Sequence, residues 1–326
     1  MAYWVLGAGL LLLVLGSEAV LRGGVWVGRS LGMSPLLIGV LLISTATSAP
    51  ELFVSLRAAT MGAPDIVLGD IVGGNLLNLL LVLGVGALIR PLASPPKVVF
   101  RDGGVMLAAA LALTFCAFDG VVSRSEGAIL LAGFFVYIAL IILTDWRRSA
   151  DHSVPQARAE ALSQGDSPPM VAGLFLLILG TILLGLGAHF SVSGGVALAR
   201  NFNLHEAFVG LTIVALGTAL PKLLTTVLAA ARGQTNLAIG HVIGANAFNL
   251  LGVLGLTAII SPLSVSPGLA SVDITVLTAA SALVLPLLAM RWRLSRPRGA
   301  FLLIAYAGYL AFVFWRQGLL PLPLFG

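Results

Sequence analysis

A segment of ten residues, GDIVGGNLLN at positions 69–78, recurs later in the chain as GHVIGANAFN at positions 240–249. The same shift, made without a gap, places Thr47 on Thr218 and Pro50 on Pro221. Between positions 16 and 92, nearly one position in three is identical to its partner in the second copy. A shared apolar composition raises chance identity to about a tenth, but it does not align prolines, asparagines and glycines. The chain therefore contains two copies of one structural unit.

The composition indicates that lipid is the solvent for most of this chain. Of its 326 residues, 59% are hydrophobic and only 10% are charged, whereas a soluble domain carries about a quarter charged residues. The net charge of +5 does not indicate nucleic-acid binding, because the basic residues lie between apolar runs. No nucleophile, metal cluster or phosphate-binding loop lies outside the apolar runs, so the sequence predicts neither an enzyme nor a bound cofactor.

The apolar runs predict an all-α membrane protein with ten transmembrane helices, since a span needs roughly 20 mostly apolar residues. The polar stretch 146–169 is predicted to be a cytoplasmic linker between the first repeat, 1–145, and the second repeat, 170–326. Five spans per copy is an odd number, so the second copy enters the membrane from the opposite side, as an inverted repeat. The predicted spans are 4–28, 35–61, 65–89, 102–118, 127–145, 170–199, 205–231, 236–260, 271–290 and 299–316.

Basic residues predict the orientation in the membrane, because cytoplasmic loops carry an excess of Lys and Arg. If the spans alternate, twelve basic residues fall on one side and four on the other. The first side is then cytoplasmic, and both termini are external or periplasmic. The sequence thus predicts a multi-pass protein of the cell (inner) membrane. The twelve are Arg29, Arg90, Lys97, Arg101, Arg147, Arg148, Arg158, Arg232, Arg291, Arg293, Arg296 and Arg298, and the four are Arg57, Arg124, Arg200 and Arg316.

Polar residues within the spans identify a candidate site. The run STATSAPE, 44–51, has Pro50 and Glu51 in mid-span, and its second copy, ALGTALPK, 215–222, ends in Lys222. A proline removes a backbone donor, so both helices are expected to be interrupted there. Asn78 and Asn249 follow in the next span of each copy and offer amide oxygens, which suit hard cations. Outside this set, Asp102 and Asp273 are expected to cap helix starts.

These two motifs, present in two copies at one spacing, resemble the alpha repeats of the cation/calcium exchanger superfamily, which includes the sodium/calcium exchangers. The resemblance implies ten helices, an outward N-terminus and exchange of inorganic cations as substrates. It matches Glu51, Asn78 and Asn249 to metal ligands of that family. The full set of matched ion-binding positions is Thr47, Ser48, Glu51 and Asn78 in the first copy, and Thr218, Ala219, Lys222 and Asn249 in the second.

The sequence departs from the family pattern at Lys222, where the family has a glutamate. It also departs at Ala219, where serine is usual, and at Asp70 and His241, where asparagine is common; the last two are candidates for the ion path. At about 4 Å and an effective dielectric of 20, one unit-charge pair is worth roughly 4 kcal/mol. Changing −1 to +1 beside a divalent ion then costs at most about 16 kcal/mol, and a neutral lysine still loses about 8.

Lys222 therefore leaves several interpretations open. It replaces a bound sodium ion as a tethered cation, it loses its proton when a cation binds, or it pairs permanently with Glu51. The first two interpretations correspond to a secondary antiporter of a small inorganic cation, for which the family expectation is calcium against sodium or protons. The alternatives are a non-transporting membrane protein with a structural pair between Glu51 and Lys222, and a channel or carrier for another ion.

Overall fold

The computed structural model describes residues 2–31, 47–146, 170–233 and 235–319. In the first copy the helices are α1 (Ala2–Ser30), α2 (Ala49–Thr60), α3 (Pro64–Ile89), α4 (Val98–Asp119) and α5 (Arg124–Trp146). In the second copy they are α6 (Met170–Phe202), α7 (Glu206–Ala231), α8 (235–260), α9 (Leu269–Trp292) and α10 (Arg296–Arg316). The short strands are β1 (Leu92–Ala93), β2 (Val121–Val122), β3 (Leu263–Ser264) and β4 (Arg293–Leu294).

The helical membrane architecture is confirmed. Nine helices of the described ranges are long and apolar enough to cross a membrane, and their ends lie close to the predicted ones. The remaining predicted span, 35–61, is described only from residue 47, and α2 occupies its described end. The linker lies outside the described residues apart from Trp146, so the division at 146–169 stays a prediction.

The two copies recur in the geometry as they do in the sequence. Turns of π-helix occur within α3 at Leu77–Val82 and within α8 at Phe248–Val253, which are equivalent segments of the repeat. Both α4 and α9 begin with such a turn, at Val98–Asp102 and Leu269–Asp273. Each two-stranded sheet joins the copies, because β1 pairs with β4 and β2 pairs with β3, both antiparallel. The inverted repeat is therefore also a structural repeat.

Helices α1 and α6 meet along a row of regularly spaced glycines. A Cβ atom added to Gly16 would lie 2.9 Å from the backbone nitrogen of Leu184, so the two backbones are in direct contact, as small residues allow in membranes. The facing order is reversed along the two helices, which shows that α1 and α6 run antiparallel. The facing glycines are Gly9 with Gly187, Gly16 with Gly180, and Gly23 with Gly173.

The helices that carry the polar motifs lie at the centre of the fold. In the most apolar 18-residue segment of α3, 83% of the residues are buried, compared with 22% in the corresponding segments of α5 and α6. Gly69 of α3 allows close packing on α7, because a Cβ atom there would lie 3.0 Å from Cα of Gly210. The outer helices face lipid with large apolar side chains such as Phe175 and Ile178. The centre is thus shielded from lipid by its neighbours.

One predicted interruption is wrong. In the first copy, α2 begins at Ala49 after the non-helical Ser48, with Pro50 in its first turn, as expected for proline at a helix start. In the second copy, however, the helix continues through Pro221 from Ala215 to Ala231. Prolines are tolerated within transmembrane helices because neighbouring groups satisfy the freed carbonyl. The irregular part of α7 lies earlier, in the π-helical turn Gly210–Val214.

The capping role expected for Asp102 and Asp273 is also wrong. Neither side chain caps the regular α-helical part that follows it, which begins at Gly103 in α4 and at Ile274 in α9. Instead, Asp102 accepts a hydrogen bond from Tyr137 at 3.2 Å, and Asp273 accepts one from Tyr309 at 2.9 Å. Each carboxylate therefore ties a helix start to the next helix of its own copy.

Candidate ion site

The charged residues of the two motifs form a direct ion pair. The Lys222 ammonium donates a hydrogen bond to Oε1 of Glu51, and both side chains are completely buried. Glu51 lies in the first turn of α2, and Lys222 follows Pro221 in α7. Because the two residues are equivalent in the repeat, they meet where the two copies face each other. The central charge of the repeat is thus −1 in one copy and +1 in the other.

Two further contacts cross between the copies beside this pair. The Thr218 hydroxyl donates to Oδ1 of Asp70 at 2.8 Å. In the repeat-equivalent contact, Oγ1 of Thr47 lies 2.9 Å from Nε2 of His241. Asp70 is completely buried and His241 is 6% exposed. The two candidate ion-path residues therefore lie against the threonines of the opposite copy and belong to the same cluster.

Hydrogen bonds between asparagines fix the side-chain amide of Asn78, whereas the side-chain amide of Asn249 has no partner in the described protein. Nδ2 of Asn78 donates to Oδ1 of Asn246 at 2.9 Å, and Nδ2 of Asn246 donates to the carbonyl oxygen of Asn75 at 3.2 Å. This leaves Oδ1 of Asn78 without a hydrogen-bond partner in the described protein. Neither amide atom of Asn249 has a partner there. Asn78 is therefore held with its oxygen available for another ligand.

Several buried oxygens at this centre are available in the same way. Buried polar groups in proteins are nearly always hydrogen-bonded to protein, water or a ligand, so a concentration of oxygens without a protein partner is typical of a place that holds water or a ligand. Carboxylate, amide and hydroxyl oxygens suit hard cations. Unpartnered atoms of the described residues include Oε2 of Glu51, Oδ2 of Asp70, Oγ of Ser48, and Oδ1 of Asn78 and Asn249.

The structure brings most of the predicted site residues to one centre, though not all into contact. Helix α2 packs against the turn Phe248–Val253, which contains Asn249, and α7 packs against the turn Leu77–Val82, which contains Asn78. No hydrogen bond joins Asn78 or Asn249 to the ion pair in the described residues. Sequence reasoning missed Asn246, whose partner in the repeat is Asn75. The recurrence of these asparagines within the repeated segment was the signal that could have identified them.

Comparison with known families gives a match over both halves of the chain. The family model described as sodium/calcium exchanger protein matches residues 1–143 and 172–315. The chain is 33% identical to the inner membrane protein YrbG of Escherichia coli, with 96% of each chain covered. It is 28% identical to the sodium/calcium exchanger MaX1 of Methanosarcina acetivorans, with 96% of this chain and 98% of that protein covered.

A solved structure of the sodium–calcium exchanger NCX_Mj, soaked with Na⁺ and Sr²⁺, is similar in fold. It superposes with a TM-score of 0.66 at 28% sequence identity, covering 95% of this chain and 97% of the other. The likeness extends over the central helices and the outer helices alike.

Proposed function

The chain belongs to the sodium/calcium exchanger family, and we propose that it exchanges small inorganic cations across the membrane with the Lys222 ammonium as a built-in positive charge in its ion site. The proposed ligands are Glu51, Asn78 and Asn249, with the hydroxyls of Thr47, Ser48 and Thr218. Asp70 and His241 line the adjoining ion path. Transport by such a site requires no covalent chemistry and no resident cofactor, because the cation is the substrate.

The observation that carries this proposal is the contact between Lys222 and Glu51. Both groups are buried, so little water screens them, and a buried pair is maintained only where its geometry and remaining hydrogen bonds are good. Oε2 of Glu51 nevertheless has no partner in the described protein. One carboxylate oxygen is thus neutralised by Lys222, while the other is available to a cation. In this arrangement the ammonium occupies the place of a bound monovalent ion.

Compared with a site that has two glutamates, the charge of this site penalises a divalent cation more than a monovalent one. At about 4 Å and an effective dielectric of 20, the ammonium repels a monovalent cation by roughly 4 kcal/mol and a divalent cation by roughly 8. A single carboxylate at the same distance attracts each ion by the same amount, so Glu51 alone only balances the repulsion. The remaining attraction must then come from the neutral oxygen ligands. The penalty for calcium relative to a site with two glutamates is therefore large.

We further propose that both termini are external or periplasmic and that the protein resides in the cell (inner) membrane. Support comes from the segment Arg291–Arg298, which contains four arginines around β4. It lies beside the end of α3, because Arg296 donates a hydrogen bond to the carbonyl oxygen of Leu88. Labelling of single introduced cysteines with a membrane-impermeant reagent tests this orientation. If a cysteine introduced in the 291–298 segment is labelled by reagent added on the external side, the proposed orientation is wrong.

Ion flux in proteoliposomes tests the function. Purified protein is reconstituted, a sodium or proton gradient is imposed, and uptake of Na⁺, K⁺ and Ca²⁺ is measured. Glu51→Gln is expected to abolish gradient-driven flux, because the carboxylate that faces the cation becomes neutral. The matched control is Glu18→Gln on α1, which removes an exposed carboxylate paired only with Arg22 in the described structure. This control is expected to retain the wild-type rate.

A second variant separates the proposal from its alternative. Lys222→Glu restores two acidic centres and is expected to gain calcium flux and to lose discrimination against divalent ions. If the wild-type protein carries none of the tested cations in either orientation, the antiporter proposal is wrong. In that case a structural pair on a non-transporting scaffold accounts better for the contact between Glu51 and Lys222.

A further inference from the structure

A second pair of repeat-equivalent polar residues lies one helical turn beyond the ion pair. Ser55 follows Glu51 by four residues in α2, and Thr226 follows Lys222 by four residues in α7. Residues four apart lie on the same face of a helix, roughly 6 Å apart along its axis. Both side chains are completely buried, and neither hydroxyl has a hydrogen-bond partner in the described protein.

These hydroxyls differ from several others in the helices of this chain, and among the buried helical hydroxyls of the described residues they share the unpartnered state with Ser191 and Ser281. A serine or threonine within a helix commonly donates to the carbonyl four residues earlier. Thr225 donates to the carbonyl of Pro221 at 2.8 Å, and Thr257 donates to that of Val253 at 2.7 Å. The corresponding acceptors for Ser55 and Thr226 would be the carbonyls of Glu51 and Lys222, but neither hydroxyl donates to its carbonyl. The oxygens of Ser55 and Thr226 are therefore available to another group.

The two hydroxyls lie towards opposite faces of the membrane. Beyond Ser55, α2 ends at Thr60, and the turn that follows it lines a cavity of about 400 Å³ together with Arg200 and Glu206. Glu206 is the first residue of α7, so the end of α2 lies beside the beginning of α7. Thr226 lies towards the other end of α7, where its methyl group approaches Gly86 of α3. Ser55 and Thr226 thus extend from the ion pair in opposite directions.

We propose that Ser55 and Thr226 are staging ligands, which coordinate the cation between the ion pair and the two faces of the membrane. This inference rests on the proposed transport function. A cation that leaves water needs oxygen ligands, and a hydroxyl oxygen offers two lone pairs. Ser55 serves exchange with the face at the end of α2, which the charge distribution predicts to be external. Thr226 serves exchange with the opposite face.

The test is a one-sided measurement of the apparent affinity. Right-side-out and inside-out membrane vesicles containing the full-length protein are supplied with tracer Na⁺ or Ca²⁺, and KM is measured for each face. Ser55→Ala is expected to raise KM about tenfold for the face at the end of α2, the loss expected for one polar contact to a charged group. Thr226→Val is expected to raise KM by a similar factor for the other face only.

Three controls keep the result interpretable. Thr225→Val removes a hydroxyl that is bonded to its own helix, and both KM values should stay unchanged. Ser55→Thr and Thr226→Ser keep the hydroxyl and should restore the one-sided KM, which separates ligation from folding. Wild-type flux with KM values that do not change, or that change equally for both faces, would overturn the inference alone. Absence of wild-type flux would overturn the transport proposal and this inference with it.

Discussion

Neutralising either member of the Glu51–Lys222 pair should destabilise the protein more than neutralising both. Both side chains are 0% exposed and in direct contact, so removing one leaves a buried charge without its partner. Losing one partner of a buried pair costs about 3–5 kcal/mol, which agrees with the roughly 4 kcal/mol of a unit-charge pair at about 4 Å and a dielectric of 20. Replacing both by neutral side chains of similar size removes the desolvation cost together with the attraction.

The assay is a double-mutant cycle on unfolding of the purified protein in one detergent. Glu51→Gln and Lys222→Met are expected to lower the free energy of unfolding by about 3–5 kcal/mol each. The double variant should be more stable than either single variant, so that the coupling free energy is at least about 3 kcal/mol. The matched control cycle uses the exposed pair of Glu18 and Arg22, for which about 0–1 kcal/mol is expected. Additive losses at Glu51 and Lys222 would refute the view that their charges depend on each other.

Two further predictions concern packing and ligand orientation. Gly16→Ala should lower the free energy of unfolding by about 1–3 kcal/mol, because the new Cβ atom would lie 2.9 Å from the backbone nitrogen of Leu184. Gly7→Ala, where no atom lies within 4 Å of the added Cβ, should leave the free energy of unfolding unchanged or raise it in the same detergent assay. Asn246→Leu should raise KM for the transported cation about tenfold, because the Asn78 amide loses its acceptor at 2.9 Å. An unchanged KM would show that Asn246 does not orient Asn78.

The repeat made most of the fold predictable from sequence. Spans are recognisable because lipid-facing residues must be apolar, and the gapless repeat of the sequence recurs in the π-helical turns of α3 and α8. The contact between Glu51 and Lys222 was predictable for the same reason. Residues equivalent in an inverted repeat lie near its two-fold axis when their helices cross at the centre. The sequence thus identified Lys222 as the residue where the symmetry of the site is broken.

Other features depend on alternatives that a sequence pattern does not distinguish. A proline in mid-span predicts either a break or a helix that tolerates the missing donor, and Pro221 adopts the second solution. An aspartate at a helix start predicts a cap, but Asp273 binds Tyr309 and Arg316 instead. In both cases the outcome is decided by neighbouring helices. The role of Asn246 was missed for a related reason, since an amide reveals its partner only when the opposite helix is in place.

The break in symmetry at Lys222 has a consequence for the energetics of the whole site. Two glutamates at repeat-equivalent positions would repel each other when no ion is bound, and a divalent cation would relieve that repulsion. A glutamate and a lysine neutralise each other without an ion, so a cation must compete with the ammonium for Glu51. At the proposed site the cation gains from Glu51 only what remains after this competition, and we expect the neutral oxygens of Asn78, Asn249 and the hydroxyls to be decisive for binding. We therefore expect selectivity in this protein to depend on the number and placement of neutral oxygens more than on formal charge.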